Sequence, residues 1–175
     1  PRDHAAVLRI AADAAPGARH WRAWTAQGAT PGMKFIVGEL PELVENETEG
    51  EPLPVAVTPP LTINGRIFPR EDVDLWAFDA RAGETVTAFV HAASLNSPLA
   101  PKLDIVDAAG GVLAEQMLHP CVGTDASVKF TPKVDGRYRV RITDARALGG
   151  QAFVYRLTVT AASVPDFHFP LKARP

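Results

Sequence analysis

The stretch ENETEGEP places Glu45, Glu47, Glu49 and Glu51 on alternate residues with nothing basic among them. Neighbouring carboxylates repel and raise one another's pKa unless a cation or hydrogen-bond donors compensate them. In extended chain, residues two apart point the same way, so Glu45 and Glu47 share a side, as do Asp72 and Asp74 in a strand beginning at Asp72. Two such pairs facing each other, with backbone carbonyls or water, suit a hard cation that takes about six to eight oxygens at roughly 2.3–2.6 Å, which is the preference of calcium. Asp74 also shares its face with Trp76 and Phe78, both expected in the core. A carboxylate at the rim of an apolar face needs a partner, because burying it unpaired is costly. The plain alternative is a solvated acidic linker, with Asp72 or Asp74 accepting backbone N–H groups at a turn.

Other residues with chemistry are dispersed. His119-Pro120-Cys121 brings an imidazole near a thiol, but proline between them works against the oriented base that a cysteine nucleophile requires. Ser94, Ser97, Ser127 and Ser163 lie outside any Gly-x-Ser-x-Gly elbow. His4, His20, His91, His119 and His168 have no zinc-site spacing. Gly110 and Gly111 mark a turn rather than a phosphate cradle, since no lysine-bearing helical run follows them. Arg137, Arg139 and Arg141, with Arg156 expected on the neighbouring strand, form a row able to meet carboxylates or sulfated sugars. The ordinary fate of such a row is a solvated sheet face balanced by acids. Trp21 and Trp24, three apart, are both expected in a core. Nothing in this set demands an enzyme.

The elements that must position these residues are strands. A net charge of −2 lacks the basic excess of nucleic-acid modules, and 46% hydrophobic residues over 175 are enough for a packed core. Sixteen prolines and thirteen glycines leave little room for long helices, and the fold class expected is all-β. No apolar run is long enough to span a membrane, and PRDHAAVLRI lacks the order of a signal peptide. A start at Pro1 reads as a processed or excised piece, and the lone Cys121 allows no internal disulfide.

AVLRIAADAAPG, ARHWRAWTAQG and MKFIVGEL read as strands. Three are too few to close a sandwich, so residues 1–43 look like the end of an Ig-like unit whose other strands lie elsewhere. Pro52, Pro54, Pro59 and Pro60 stiffen a connection, and residues 44–60 are expected as an acidic, proline-rich linker. Residues 61–162 then form an antiparallel sandwich of roughly eight short strands, followed by a tail at 163–175. Its clearest strand is RYRVRIT, where Tyr138, Val140 and Ile142 alternate with Arg137, Arg139 and Arg141. FVYRLTV repeats the pattern, and the intervening loop DARALGGQ predicts that the two strands are antiparallel neighbours.

NGRIFPREDVDLWAFDARAGETV, LDIVDAAGGVLAE, FTPKVDGRYRVRITD and YRLTV together resemble the bacterial pre-peptidase C-terminal domain over about residues 59 to 161. The resemblance implies a jelly-roll-like β-sandwich that is a non-catalytic accessory module of a large, multidomain exported bacterial protein, acting as spacer, stabiliser or binding domain. In related collagen-binding modules, linker glutamates and strand aspartates hold calcium; the matching positions are Glu45, Glu47, Asp72 and Asp74. The lead-in departs from the family's Glu-x-Glu-Pro-Asn-Asp at Thr48, Glu49 and Gly50. The partners implied are other domains of the parent protein or an extracellular protein or polysaccharide, and the location is secreted, periplasmic or on the cell surface. A carbohydrate- or matrix-binding module and a fragment of a secreted hydrolase are the alternatives.

Overall fold

The structure is a computed structural model in which residues 7–46, 52–116 and 125–161 are described. The chain divides into two compact units, one ending at Glu39 and one starting at Leu40.

In the first unit, β1 (Gly17–Trp21) pairs antiparallel with β4 (Met33–Val37), and between them β2 (Trp24–Thr25) pairs with β3 (Gly28–Ala29). Residues 7–16, expected as a strand, form none; Pro16 and the positive φ of Gly17 mark where regular pairing begins. None of residues 7–39 is fully buried. Trp24, expected in a core, is 78% exposed, because a two-residue strand offers no second layer to receive it.

The second unit is a β-sandwich. One sheet has the order β11-β10-β13-β8-β6, comprising β6 (Val55–Ala56), β8 (Asp74–Ala80), β10 (Pro101–Val106), β11 (Val112–Glu115) and β13 (Gly136–Asp144). The other has the order β12-β9-β14-β7-β5, comprising β5 (Glu42–Val44), β7 (Leu61–Arg66), β9 (Val86–His91), β12 (Ala126–Phe130) and β14 (Val154–Thr160).

Strict alternation in the two central strands builds the core. On β13, Tyr138, Val140 and Ile142 point inward and lie opposite Phe78, Trp76 and Asp74 of β8. On β14, Tyr155, Leu157 and Val159 point inward from the other sheet, between β7 and β9. Each fully buried side chain of this size contributes about 1.5–3 kcal/mol.

One expected pairing is absent: β13 and β14 are not neighbours. Each already has two partners, β10 and β8 for β13, β7 and β9 for β14, so the loop DARALGGQ carries the chain from one sheet to the other. Asp144, buried at the end of β13, anchors that loop by accepting hydrogen bonds from the N–H groups of Ala100, Arg146 and Leu148. Arg156 therefore lies in the sheet opposite Arg137, Arg139 and Arg141.

The stretch expected as a linker contributes β6, and β5, expected mostly within the N-terminal unit, joins the sandwich instead, because the second unit begins at Leu40. β5 pairs parallel with β7, matching Glu42, Leu43 and Val44 to Thr62, Ile63 and Asn64. β6 pairs parallel with β8. The lead-in thus adds an edge strand to each sheet.

Candidate functional site

The polar site lies where β5 docks. Asp74 opens β8 with its carboxylate only 8% exposed. The hydroxyl of Tyr155 donates to Asp74 Oδ2 at 2.7 Å, and Trp76 Nε1 donates to that hydroxyl at 3.1 Å. Glu45 completes the group. Its N–H donates to Asn64 O at 2.9 Å, continuing the ladder of β5, and its Oε2 accepts the N–H of Arg66 at 2.9 Å. Its carboxyl also lies close enough to Asp74 to raise that group's pKa.

Gly65 makes room for this contact. A Cβ there would lie 2.5 Å from the Tyr155 hydroxyl and 2.6 Å from Glu45 Oε2, closer than any side chain tolerates. Burial pushes the Asp74 carboxyl up to about 9, reinforced by the hydrogen bond and charge of Glu45 and by the charge of Asp72; the Tyr155 hydrogen bond works the other way. Burial also raises Tyr155 well above its ordinary value, and the Asp74 and Glu45 charges add to it. Two carboxyls thus share the pocket, and Asp74 keeps its proton to well above neutral pH.

The expected ligand positions fare differently. Glu45 and Asp74 come together. Asp72 lies before β8 rather than in it, so the alternation does not extend to it; its Oδ2 accepts the Phe68 N–H at 3.0 Å and its Oδ1 the Val73 N–H at 2.8 Å. Glu47 falls outside the described residues, as do His119 and Cys121. Among the described residues, no group of three or more His, Cys, Asp or Glu side chains is placed to hold a metal. A cation bound here would have Glu45 and Asp74 as anchors and would need further oxygens; two carboxylates suit a hard ion.

On the outer face of the same sheet lies a second polar cluster, for which the sequence carries no spacing signal. Arg156 is 7% exposed, and its guanidinium grips Glu42 through Nη1 to Oε2 at 2.9 Å and Nη2 to Oε1 at 2.6 Å. Asn64 bridges the pair, accepting from Nη1 at 3.1 Å and donating to Glu42 Oε2 at 2.8 Å. Across β14 from Asn64 stands His91, whose Nδ1 is 3.0 Å from Ser94 Oγ and 3.5 Å from Asp125 Oδ2. Burial pushes the Asp125 carboxyl up, but hydrogen bonds from His91, the Ala92 N–H and Ser94 more than offset it and hold it at about 2. Serine and aspartate meet the same ring nitrogen here, whereas a nucleophilic relay needs them on opposite ones.

The arginine row is largely compensated. Arg137 pairs with Asp79 at 2.9 Å, and Arg141 pairs at 2.6 Å with Asp104, a carboxylate 1% exposed. An open depression of about 500 Å³ beside the first pair is lined by Asp79, Arg81, Glu84, Asp135 and Arg137, and Asp135 is already occupied by the Ala82 N–H.

Sheet order and register define a jelly-roll-like β-sandwich, antiparallel except at the edge strands β5 and β6, and the comparisons give that class a specific counterpart. The chain is similar to the 1.0 Å crystal structure of the pre-peptidase C-terminal domain of a collagenase from Bacillus anthracis, with a TM-score of 0.51 and 14% identity, covering 65% of this chain and 100% of that one. The likeness is one of fold. No protein-family model matches the chain, and no curated protein matches it in sequence.

Proposed function

We propose that the chain is a non-catalytic accessory module of a larger exported bacterial protein, with a sandwich stabilised by calcium at the seat of β5. The observation that carries this reading is that the half-buried Glu45 carboxyl and the Tyr155 hydroxyl, which donates to the buried Asp74, both crowd the same space beside Gly65. Two carboxylates this close, one of them buried, are unfavourable without a compensating charge. Calcium supplies that charge and tolerates an irregular set of oxygens. Glu45 and Asp74 are its protein anchors and Tyr155 orients Asp74; backbone carbonyls or water supply the remaining oxygens. The lead-in that bears Glu45 adds strands to both sheets, so metal bound there ties the lead-in to the sandwich. Its work is to space, stabilise or dock neighbouring domains, or to contact an extracellular protein or polysaccharide, in a secreted, periplasmic or cell-surface setting. The shared use of His91 Nδ1 by Ser94 and Asp125 speaks against a hydrolytic centre in that cluster.

Calorimetric titration of chelator-treated protein with calcium tests the reading. Saturable binding that is lost in Asp74→Asn is expected. No binding by the wild-type chain at millimolar calcium refutes it.

A further inference from the structure

We propose that Arg156 is a positioning residue for the carboxylate pocket: by clamping Glu42 on the outer face of the sheet it seats β5, and the seat of β5 delivers Glu45 to Asp74. As far as it concerns metal, the inference rests on the calcium reading above.

β5 is three residues long and lies at the edge of its sheet. Of its two apolar side chains, Val44 is 74% exposed, and Leu43, beside the inward-facing Ile63, is the one that gains appreciable burial. The β5 ladder is short, flanked by hydrogen bonds from the Thr62 N–H to Pro41 O and from the Glu45 N–H to Asn64 O.

Alternation explains how one strand serves both sites. Glu42 faces outward with Thr62 and Arg156, while Glu45, three residues on, reaches the inward-facing Asp74 and Tyr155. The clamp has the geometry of a strong pair, with two guanidinium nitrogens on two carboxylate oxygens. Arg156 is buried and Asn64 satisfies both members, so the pair is screened far less than a surface ion pair.

Two variants test this, Arg156→Gln and Glu42→Gln; the second leaves the buried arginine in place and alters only a partly exposed side chain. Hydrogen exchange is followed in chelator at the N–H groups of Thr62 and Glu45, which report the docking of β5, and along β13, which reports the sandwich. Calcium affinity is measured alongside. In at least Glu42→Gln, exchange at Thr62 and Glu45 should accelerate by about tenfold while β13 is unchanged, and calcium should weaken by about tenfold, the lower end of what losing a supporting partner does to a metal site. Arg156→Lys should recover part of both effects. Unchanged protection at Thr62 and Glu45 in both Gln variants overturns the proposal. So does an unchanged calcium affinity in a variant whose β5 has been released. If the wild-type chain binds no calcium but the variants still free β5 with β13 intact, the positioning role stands and the calcium reading falls.

Discussion

Asp74→Asn isolates the electrostatic cost of the pocket. The folded state holds the Asp74 proton up to about pH 9, against an ordinary value of 3.8. A carboxyl whose pKa is raised on folding favours the folded state at low pH, where both states are protonated, and disfavours it as pH rises through the window between the two values. Across that window one proton separates the states, so metal-free stability should fall by about 1.4 kcal/mol per pH unit from this group. Asp74 is 8% exposed, and little of the effect is lost to solvent screening. Between pH 5 and pH 7 the loss is therefore about 3 kcal/mol. Asparagine keeps the shape and an oxygen to accept from Tyr155, but it does not ionise. The assay is urea unfolding in chelator at pH 5, 6, 7 and 8, a range above the titration of Asp125, which would tilt the curve the other way. Wild type should lose stability with rising pH, and Asp74→Asn should remove most of that slope and exceed wild type at pH 8. Parallel wild-type and variant curves would refute the reasoning, since the pocket would then hold no strained charge.

Two further perturbations have defined outcomes. Gly65→Ala forces a methyl onto the Tyr155 hydroxyl and Glu45; it should cost about 1–3 kcal/mol, the range for overpacking, and a thermal melt equal to wild type would show that the pocket yields freely. Asp125 titrates in the opposite sense to Asp74, with its folded value lowered from 3.8 to about 2. Discounted for solvent screening of a partly exposed group, its contribution is about 1–2 kcal/mol, present above pH 4 and lost as pH falls through that window, so acid unfolding of Asp125→Asn should be shallower than that of wild type between pH 2 and pH 4.

Much of the sandwich was legible because alternation is a local signal. Tyr138, Val140 and Ile142 on β13, and Tyr155, Leu157 and Val159 on β14, are buried as their spacing predicts. The pairing of these strands was not legible: a short, glycine-containing loop is compatible with a hairpin and with a crossing between sheets, and the choice depends on what Asp144 anchors at Ala100. Asp74 was marked by its place beside Trp76 and Phe78, and the structure buries it near the Glu45 carboxyl. Asp72 was assigned the same side by alternation, but regular strand geometry begins two residues later. The clamp of Arg156 on Glu42 joins residues 114 apart in sequence, and a polar contact at that separation leaves no periodic trace. The exposed Trp24 shows the same limit from the other side, since the pattern of a strand does not reveal whether a second layer covers it.

The central claim, a sandwich stabilised by calcium at the seat of β5, is tested most directly by thermal unfolding of the purified chain with calcium and with chelator at pH 7.5. A ligand that binds only the folded form stabilises it by about 2.7 kcal/mol at a hundredfold excess over Kd, enough to raise the melting temperature by several degrees in a domain of this size. Magnesium should do less, because it demands tighter octahedral geometry and gives up its waters reluctantly. A clear upward shift with calcium that vanishes in Asp74→Asn is expected. Superimposable wild-type melts in calcium and in chelator would contradict it.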